Sequence, residues 1–205
     1  YAFFRIGTDA LGGDDAFAPI AALWFAMFAL APGFFLPIEQ ELGRALAHRT
    51  AVGEGGRPVV VKAIIMAAVL TLVVSAIILA SSPWAVDAYF DGSWAMLAAL
   101  VAAFCAYAPM HLTRGICSGT GEFGSFAFVV GADGVVRIVA TVVIAWVGIT
   151  TTGPFAMAVA LSPLVAVAVV ASRGTLRTAD GPPAPWREVT QNFGWLLVGT
   201  ACAAG

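Results

Sequence analysis

An all-α integral membrane protein, folded as a helical bundle of about six transmembrane helices plus the start of another, is the class the sequence predicts. Three observations carry this expectation. Apolar runs of about 20 residues recur along the chain, and each can cross a bilayer core of about 30 Å as a helix rising about 1.5 Å per residue. The segments between the runs carry charge whose sign alternates along the chain. Finally, 60% of the residues are hydrophobic and 11% are charged, with a mean hydropathy of +0.93. That balance excludes a soluble enzyme domain. Nothing alternates with the period of two that a membrane barrel requires. A continuous backbone in lipid must satisfy its own hydrogen bonds, so the runs read as helices.

In chain order, residues 1–4 read as the outer end of a truncated helix, too short and too close to charge for a signal peptide. Complete spans are expected at 16–37, 59–80, 94–113, 126–148 and 154–172, and residues 193–205 begin a further apolar run. Pro32, Pro37, Pro109 and Pro163 fall inside these spans, where each removes a helix hydrogen bond and favours a kink of the kind found around cavities and gates. Between the first two complete spans, residues 39–49 read either as a short interfacial helix with Leu42, Ala45 and Leu46 on one side or as a solvated helix extension. Residues 173–188, with Asp180, Gly181, Pro182, Pro183 and Pro185, have the composition of an extended linker. The expected division is therefore an N-terminal transmembrane bundle over 1–172, a cytoplasmic linker over 173–190 and the truncated start of a second bundle over 191–205.

The charge pattern orients the bundle. Arg44, Arg49, Arg57 and Lys62 follow one span, Arg114 another, and Arg173, Arg177 and Arg187 a third, all on one side. The opposite side holds residues 8–15, the loop with Asp87 and Asp91, and the turn at 149–153, with Arg5 its one basic residue. The positive-inside rule makes the basic side cytoplasmic. The formal net charge of −2 carries no nucleic-acid footprint. Cys105, Cys117 and Cys202 lack the spacing of a disulfide framework or a zinc site. Most of the tryptophans, Trp24, Trp84, Trp94, Trp146, Trp186 and Trp195, fall near expected helix ends and read first as interfacial anchors, second as substrate stackers.

Two sets of residues do not belong in lipid. Asp133 and Arg137 lie near the middle of the 126–148 span, i and i+4 on one helix face, on a stripe read as running through Glu122, Phe126, Val130 and Ala140 or Thr141. Ionised groups at that depth are costly and face protein or a water-filled cavity. They read as an ion pair that fixes packing, or as a cation that holds an anionic substrate group beside a carboxylate that tunes it or exchanges an ion. Tyr107, His111 and Arg114 form a second stripe, at i, i+4 and i+7, toward the basic end. They read as substrate contacts or as interfacial anchors. The segment RGICSGTGEFG at 114–124 lacks the Lys-Ser/Thr end of a phosphate loop, and Gly115 and Gly119 instead permit close helix approach. No nucleophile with a nearby base and no HExxH motif is present, so neither an enzyme nor a cofactor is expected.

The segments PIEQELGRALAHR at 37–49, RGICSGTGEFGSFAFVVGADGVVRIV at 114–139 and GTDALGGDDAFAPIAAL from Gly7 resemble the polysaccharide or oligosaccharide flippases, which belong with the multidrug and toxin extruders in one superfamily. The resemblance implies two related six-helix bundles around a central cavity, of which this chain is the N-terminal half. It also implies a lipid-linked saccharide as substrate, carried from the cytoplasmic to the outer leaflet of a bacterial cytoplasmic membrane, with membrane lipids and a polysaccharide polymerase or assembly proteins as partners. Arg137 and Arg114 are then the candidate ligands of a pyrophosphate group, with Tyr107 and His111 beside them, and Asp133 and Glu122 the pairing or ion-coupling carboxylates. The competing expectations are a cation extruder of the same superfamily, a membrane scaffold for envelope polymer assembly and, last, an integral-membrane enzyme, for which no motif is present.

Overall fold

The computed structural model describes residues 2–204, and among these every regular element is a helix. Tyr1 and Gly205, the limits of the two terminal segments, lie outside the described residues. In order the helices are α1 (Ala2–Leu11), α2 (Asp14–Ala51), α3 (Arg57–Ala80), α4 (Ser82–Tyr89), α5 (Trp94–Gly119), α6 (Phe123–Trp146), α7 (Thr152–Ser172), α8 (Arg187–Thr190) and α9 (Phe193–Ala204). Helices α2, α3, α5, α6 and α7 are long and apolar enough to cross a membrane. The chain is an all-α membrane bundle.

Helix α5 is the central post. It packs along α2 and α7 most extensively, and against α3 and α6, while α7 also packs along α6. Phe35, Phe104, Phe155, Ile20, Leu23 and Met27 are fully buried at these contacts. The outer faces are as apolar as the core: Leu72 and Ile77 of α3, Val135 and Val139 of α6 and Val165 of α7 are exposed. A soluble protein buries such faces, whereas a bilayer solvates them. Trp84, Trp94 and Trp146 at the acidic end and Trp186 and Trp195 at the basic end are also exposed, as interfacial anchors are.

Helix α2 differs most from expectation. It runs unbroken for 38 residues through Pro19, Pro32 and Pro37, about 57 Å at 1.5 Å per residue. Residues 39–49 extend α2 and are not a separate interfacial helix, and the extension is solvated on one face only: Gln40, Ala47 and His48 are exposed, whereas Glu39, Glu41, Leu42, Ala45, Leu46 and Arg49 are buried. The reason is a close crossing with the last turns of α5, which themselves extend past the expected end at 113 to Gly119. A Cβ on Gly119 would stand 2.7 Å from the carbonyl oxygen of Gly43, and one on Gly115 would stand 2.9 Å from that of Glu39. The backbones meet because Gly43, Gly115 and Gly119 carry no side chain.

At the basic end, α7 stops at Ser172 and the chain returns without regular structure through residues 177–185 before α8. The backbone N–H of Arg57 donates to the Ala179 carbonyl at 3.1 Å, laying this connector against the α2–α3 turn. Helix α9 then runs beside α2, where the Thr200 hydroxyl donates to the Gly33 carbonyl at 3.1 Å.

Candidate functional site at mid-depth of the bundle

Four residues of α6 are buried: Val129, Asp133, Arg137 and Thr141. They recur every fourth position and form the stripe that α6 turns toward α5 and α7. Val130 and Glu122, placed on the stripe by the sequence reading, are not on it. Val130 is exposed, and Glu122 is an exposed residue preceding the first turn of α6, with no side-chain hydrogen bond or ion pair among the described residues. The true phase of the face is one residue earlier than Val130, because Val129 rather than Val130 lies in register with Asp133.

Asp133 and Arg137 form an ion pair, with Arg137 Nη2 donating to Asp133 Oδ2 at 2.6 Å. The other carboxylate oxygen accepts from the Ser162 hydroxyl of α7, also at 2.6 Å. Arg137 Nη2 further approaches the Tyr107 hydroxyl of α5 at 3.4 Å. Above the guanidinium lie the rings of Trp24, at 4.4 Å, and Phe28, at 5.3 Å, both from α2. Trp24 stacks on Phe28 and on Phe3 of α1. Trp24 is thus an inward residue of the site and not an interfacial anchor. The pair is closed off, with side-chain exposures of 5% for Arg137 and 10% for Asp133. Among the described residues, Arg137 Nε is buried without a hydrogen-bond partner.

Tyr107 joins this centre to a second one toward the basic end, its ring centroid 6.3 Å from that of His111. His111 Nδ1 is 2.7 Å from Glu39 Oε2, and Arg114 Nη2 is 3.1 Å from Glu39 Oε1, so one carboxylate of α2 holds two partners on α5. Phe35 packs on the imidazole, and the Arg114 guanidinium lies 5.1 Å from the Phe126 ring. Arg114 Nε is again buried without a partner among the described residues. The six residues singled out in the sequence therefore resolve into a deep centre with Asp133 and Arg137, a nearer one with His111 and Arg114, Tyr107 between them, and Glu122 apart. Trp24, Ser162 and Glu39 complete the two centres and carry no local signal, since their partners are 113, 29 and 72 residues away in sequence.

On the outer face beside the deep centre, α6 and α7 leave an open apolar groove of about 340 Å³ lined by Val136, Ala140, Ile144, Met157, Leu161 and Val165, with Ser162 also on its wall. Beyond the nearer centre, the connector is clamped. Arg49, 3% exposed, donates from Nε and Nη2 to the two carboxylate oxygens of Glu188 at 2.6 and 2.9 Å, and from Nη1 to the carbonyls of Gly55 and Pro182, both at 2.9 Å. The hydrogen bonds from Arg49 hold the Glu188 carboxyl below the usual carboxylate range, against a smaller opposing effect of burial. Lys62 Nζ lies 4.5 Å from the Trp186 ring on the same side. Among the described residues, no His, Cys, Asp and Glu side chains gather in the number a metal ion needs. Compared with models of protein families, with curated proteins and with solved structures, the chain has no match.

Proposed function

We propose that this bundle is part of a transporter that flips a lipid-linked oligosaccharide or polysaccharide precursor from the cytoplasmic to the outer leaflet of a bacterial cytoplasmic membrane. The observation that carries the reading is the Arg137 guanidinium: a buried cation near the middle of a membrane helix, paired with one carboxylate, yet with an N–H unspent. Such a group is costly in lipid and suits an anionic ligand whose oxygens complete its hydrogen bonds. The resemblance to the flippase family supplies the substrate class, and two structural features accord with it. The groove between α6 and α7 gives a polyprenyl tail an apolar path beside Ser162, which binds Asp133. The basic residues at the connector end, cytoplasmic by the positive-inside rule, match entry of a pyrophosphate-bearing lipid from that leaflet.

One observation favours a second reading, a non-transporting membrane scaffold. The Asp133–Arg137 pair is sealed by Trp24 and Phe28, as a packing pair would be. The test is translocation of a fluorescent lipid-linked oligosaccharide by the intact protein in liposomes, alongside uptake of an organic cation. Flipping by the wild type that collapses in Arg137→Ala, with the variant still folded, upholds the flippase. Cation uptake without flipping replaces it with an extruder, and neither activity leaves the scaffold.

A further inference from the structure

Arg114 and Arg137 share one plan. Three buried side-chain nitrogen or oxygen atoms among the described residues lack a hydrogen-bond partner: Ser75 Oγ, Arg114 Nε and Arg137 Nε. Each of these arginines gives Nη2 to a single carboxylate, Glu39 at 3.1 Å and Asp133 at 2.6 Å. Each lies against an aromatic ring, Phe126 or Trp24. An N–H buried without an acceptor, as at Nε of the buried Arg137 and of the half-buried Arg114, costs free energy that a ligand oxygen recovers.

The two differ in access. Arg114 is 20% exposed and sits in the last turns of α5 at the basic end, whereas Arg137 is 5% exposed at mid-depth beneath Trp24 and Phe28. A ligand arriving from the basic side meets Arg114 with its cation already reachable. It meets Arg137 only after the two rings have moved. Tyr107 stands between, its hydroxyl 3.4 Å from Arg137 Nη2 and its ring beside His111.

We infer that Arg114 and Arg137 are two successive stations for one phosphate-bearing headgroup, Arg114 receiving it from the basic side and Arg137 holding it at mid-depth. Glu39 and Asp133 are the counter-charges that occupy the stations when no ligand is bound. His111 is a positioning residue: it engages Oε2 of Glu39 and leaves only Oε1 to Arg114, so that this cation is not fully claimed by its own carboxylate. Trp24 and Phe28 set the order by keeping the second station shut. The inference rests on the proposed transport of a lipid-linked phosphate and adds the division of labour between receipt and passage.

The experiment measures binding and flipping separately, with the intact protein in nanodiscs and in liposomes. The binding probes are farnesyl pyrophosphate and inorganic pyrophosphate, and the flipping probe is a fluorescent lipid-linked oligosaccharide. Each station is neutralised as a pair, Glu39→Gln with Arg114→Gln or Asp133→Asn with Arg137→Gln, so that no lone buried charge is left behind. Loss of the first station is expected to weaken binding of farnesyl pyrophosphate by about tenfold or more, while loss of the second leaves it within about threefold and abolishes flipping. Inorganic pyrophosphate bound with the same dependence on Arg114 assigns recognition to the phosphates alone. Binding of the lipid form only, with that dependence, adds the tail to the receiving site. If either double variant does not fold, Arg114→Lys and Arg137→Lys, which keep charge and lose the Nε donor, are expected to split in the same direction. Equal loss of binding from both stations, or binding indifferent to Arg114, overturns the two-station order while leaving a flippase in place. A wild type that binds neither probe and flips nothing overturns the transport reading itself.

Discussion

Two buried arginine–carboxylate pairs in this bundle look alike in isolation and differ in what they leave over. Arg49 at the connector end spends Nε, Nη1 and Nη2 on Glu188, Gly55 and Pro182. Arg137 at mid-depth spends Nη2 on Asp133 and Tyr107 and keeps a buried Nε unpaired. A saturated guanidinium is a clamp, because any new ligand must break a bond to enter. A guanidinium with a buried N–H that no described protein group accepts has a donor to spare for a further acceptor. Count of spare donors, more than burial or charge, separates the strap that ties the connector to α2 from the centre proposed to take an anion.

The largest effect is expected from splitting the deep pair. Arg137→Ala strands Asp133 among α5, α6 and α7, and removing one partner of a buried pair costs about 3–5 kcal/mol. Thermal unfolding in detergent should show that loss, and most of it should return when Asp133→Asn is added. Retained stability in the single variant would mean water reaches Asp133 and the seal is open. Next comes the α2–α5 crossing on which the nearer centre depends. Gly119→Val pushes a side chain into the Gly43 backbone, and overpacking of this kind costs about 1–3 kcal/mol. It should also part Glu39 from Arg114, whereas Gly124→Ala, with open space around it, should do neither.

The clamp should respond to pH with a defined sign. Glu188 is held below the usual carboxylate range, so its contribution is complete above the ordinary carboxylate pKa and is lost as pH falls through its lowered folded value. Limited proteolysis of residues 173–186 should therefore accelerate in acid, and Glu188→Gln should make the connector labile at neutral pH and remove that dependence. The smallest effect belongs to the exposed Arg57–Asp180 pair, 64% and 82% exposed. Asp180→Ala should change stability by no more than about 1 kcal/mol, and a larger loss would mean the strap depends on this outer pair and not on Arg49.

The contrast also explains what the sequence made legible. Helices α3, α6 and α7 and the Asp133–Arg137 pair could be read directly, because a hydrophobic span and an i, i+4 spacing are local properties of the chain. The lower half of α2 could not. Glu39, Arg44 and Arg49 read as an interfacial or solvated stretch of helix until their partners are supplied by α5 and the connector, 72 positions away for His111 and 139 for Glu188. Trp24 failed the same way, since nothing local distinguishes an interfacial tryptophan from one folded over a guanidinium. The α6 stripe was displaced at Val130 and Glu122 because the spacing fixes the direction of a helix face only near the residues that anchor it, and Glu122 precedes the helix.

The most direct test of a mid-depth anion centre is flipping of a fluorescent lipid-linked oligosaccharide by the intact protein carrying Asp133→Asn with Arg137→Gln. Asp133→Asn keeps an acceptor for the Ser162 hydroxyl, and the two changes together remove both charges. If Arg137 holds the headgroup, the variant folds, inserts and fails to flip. If it flips at the wild-type rate, the pair is packing, and the unspent Nε has no ligand to explain it.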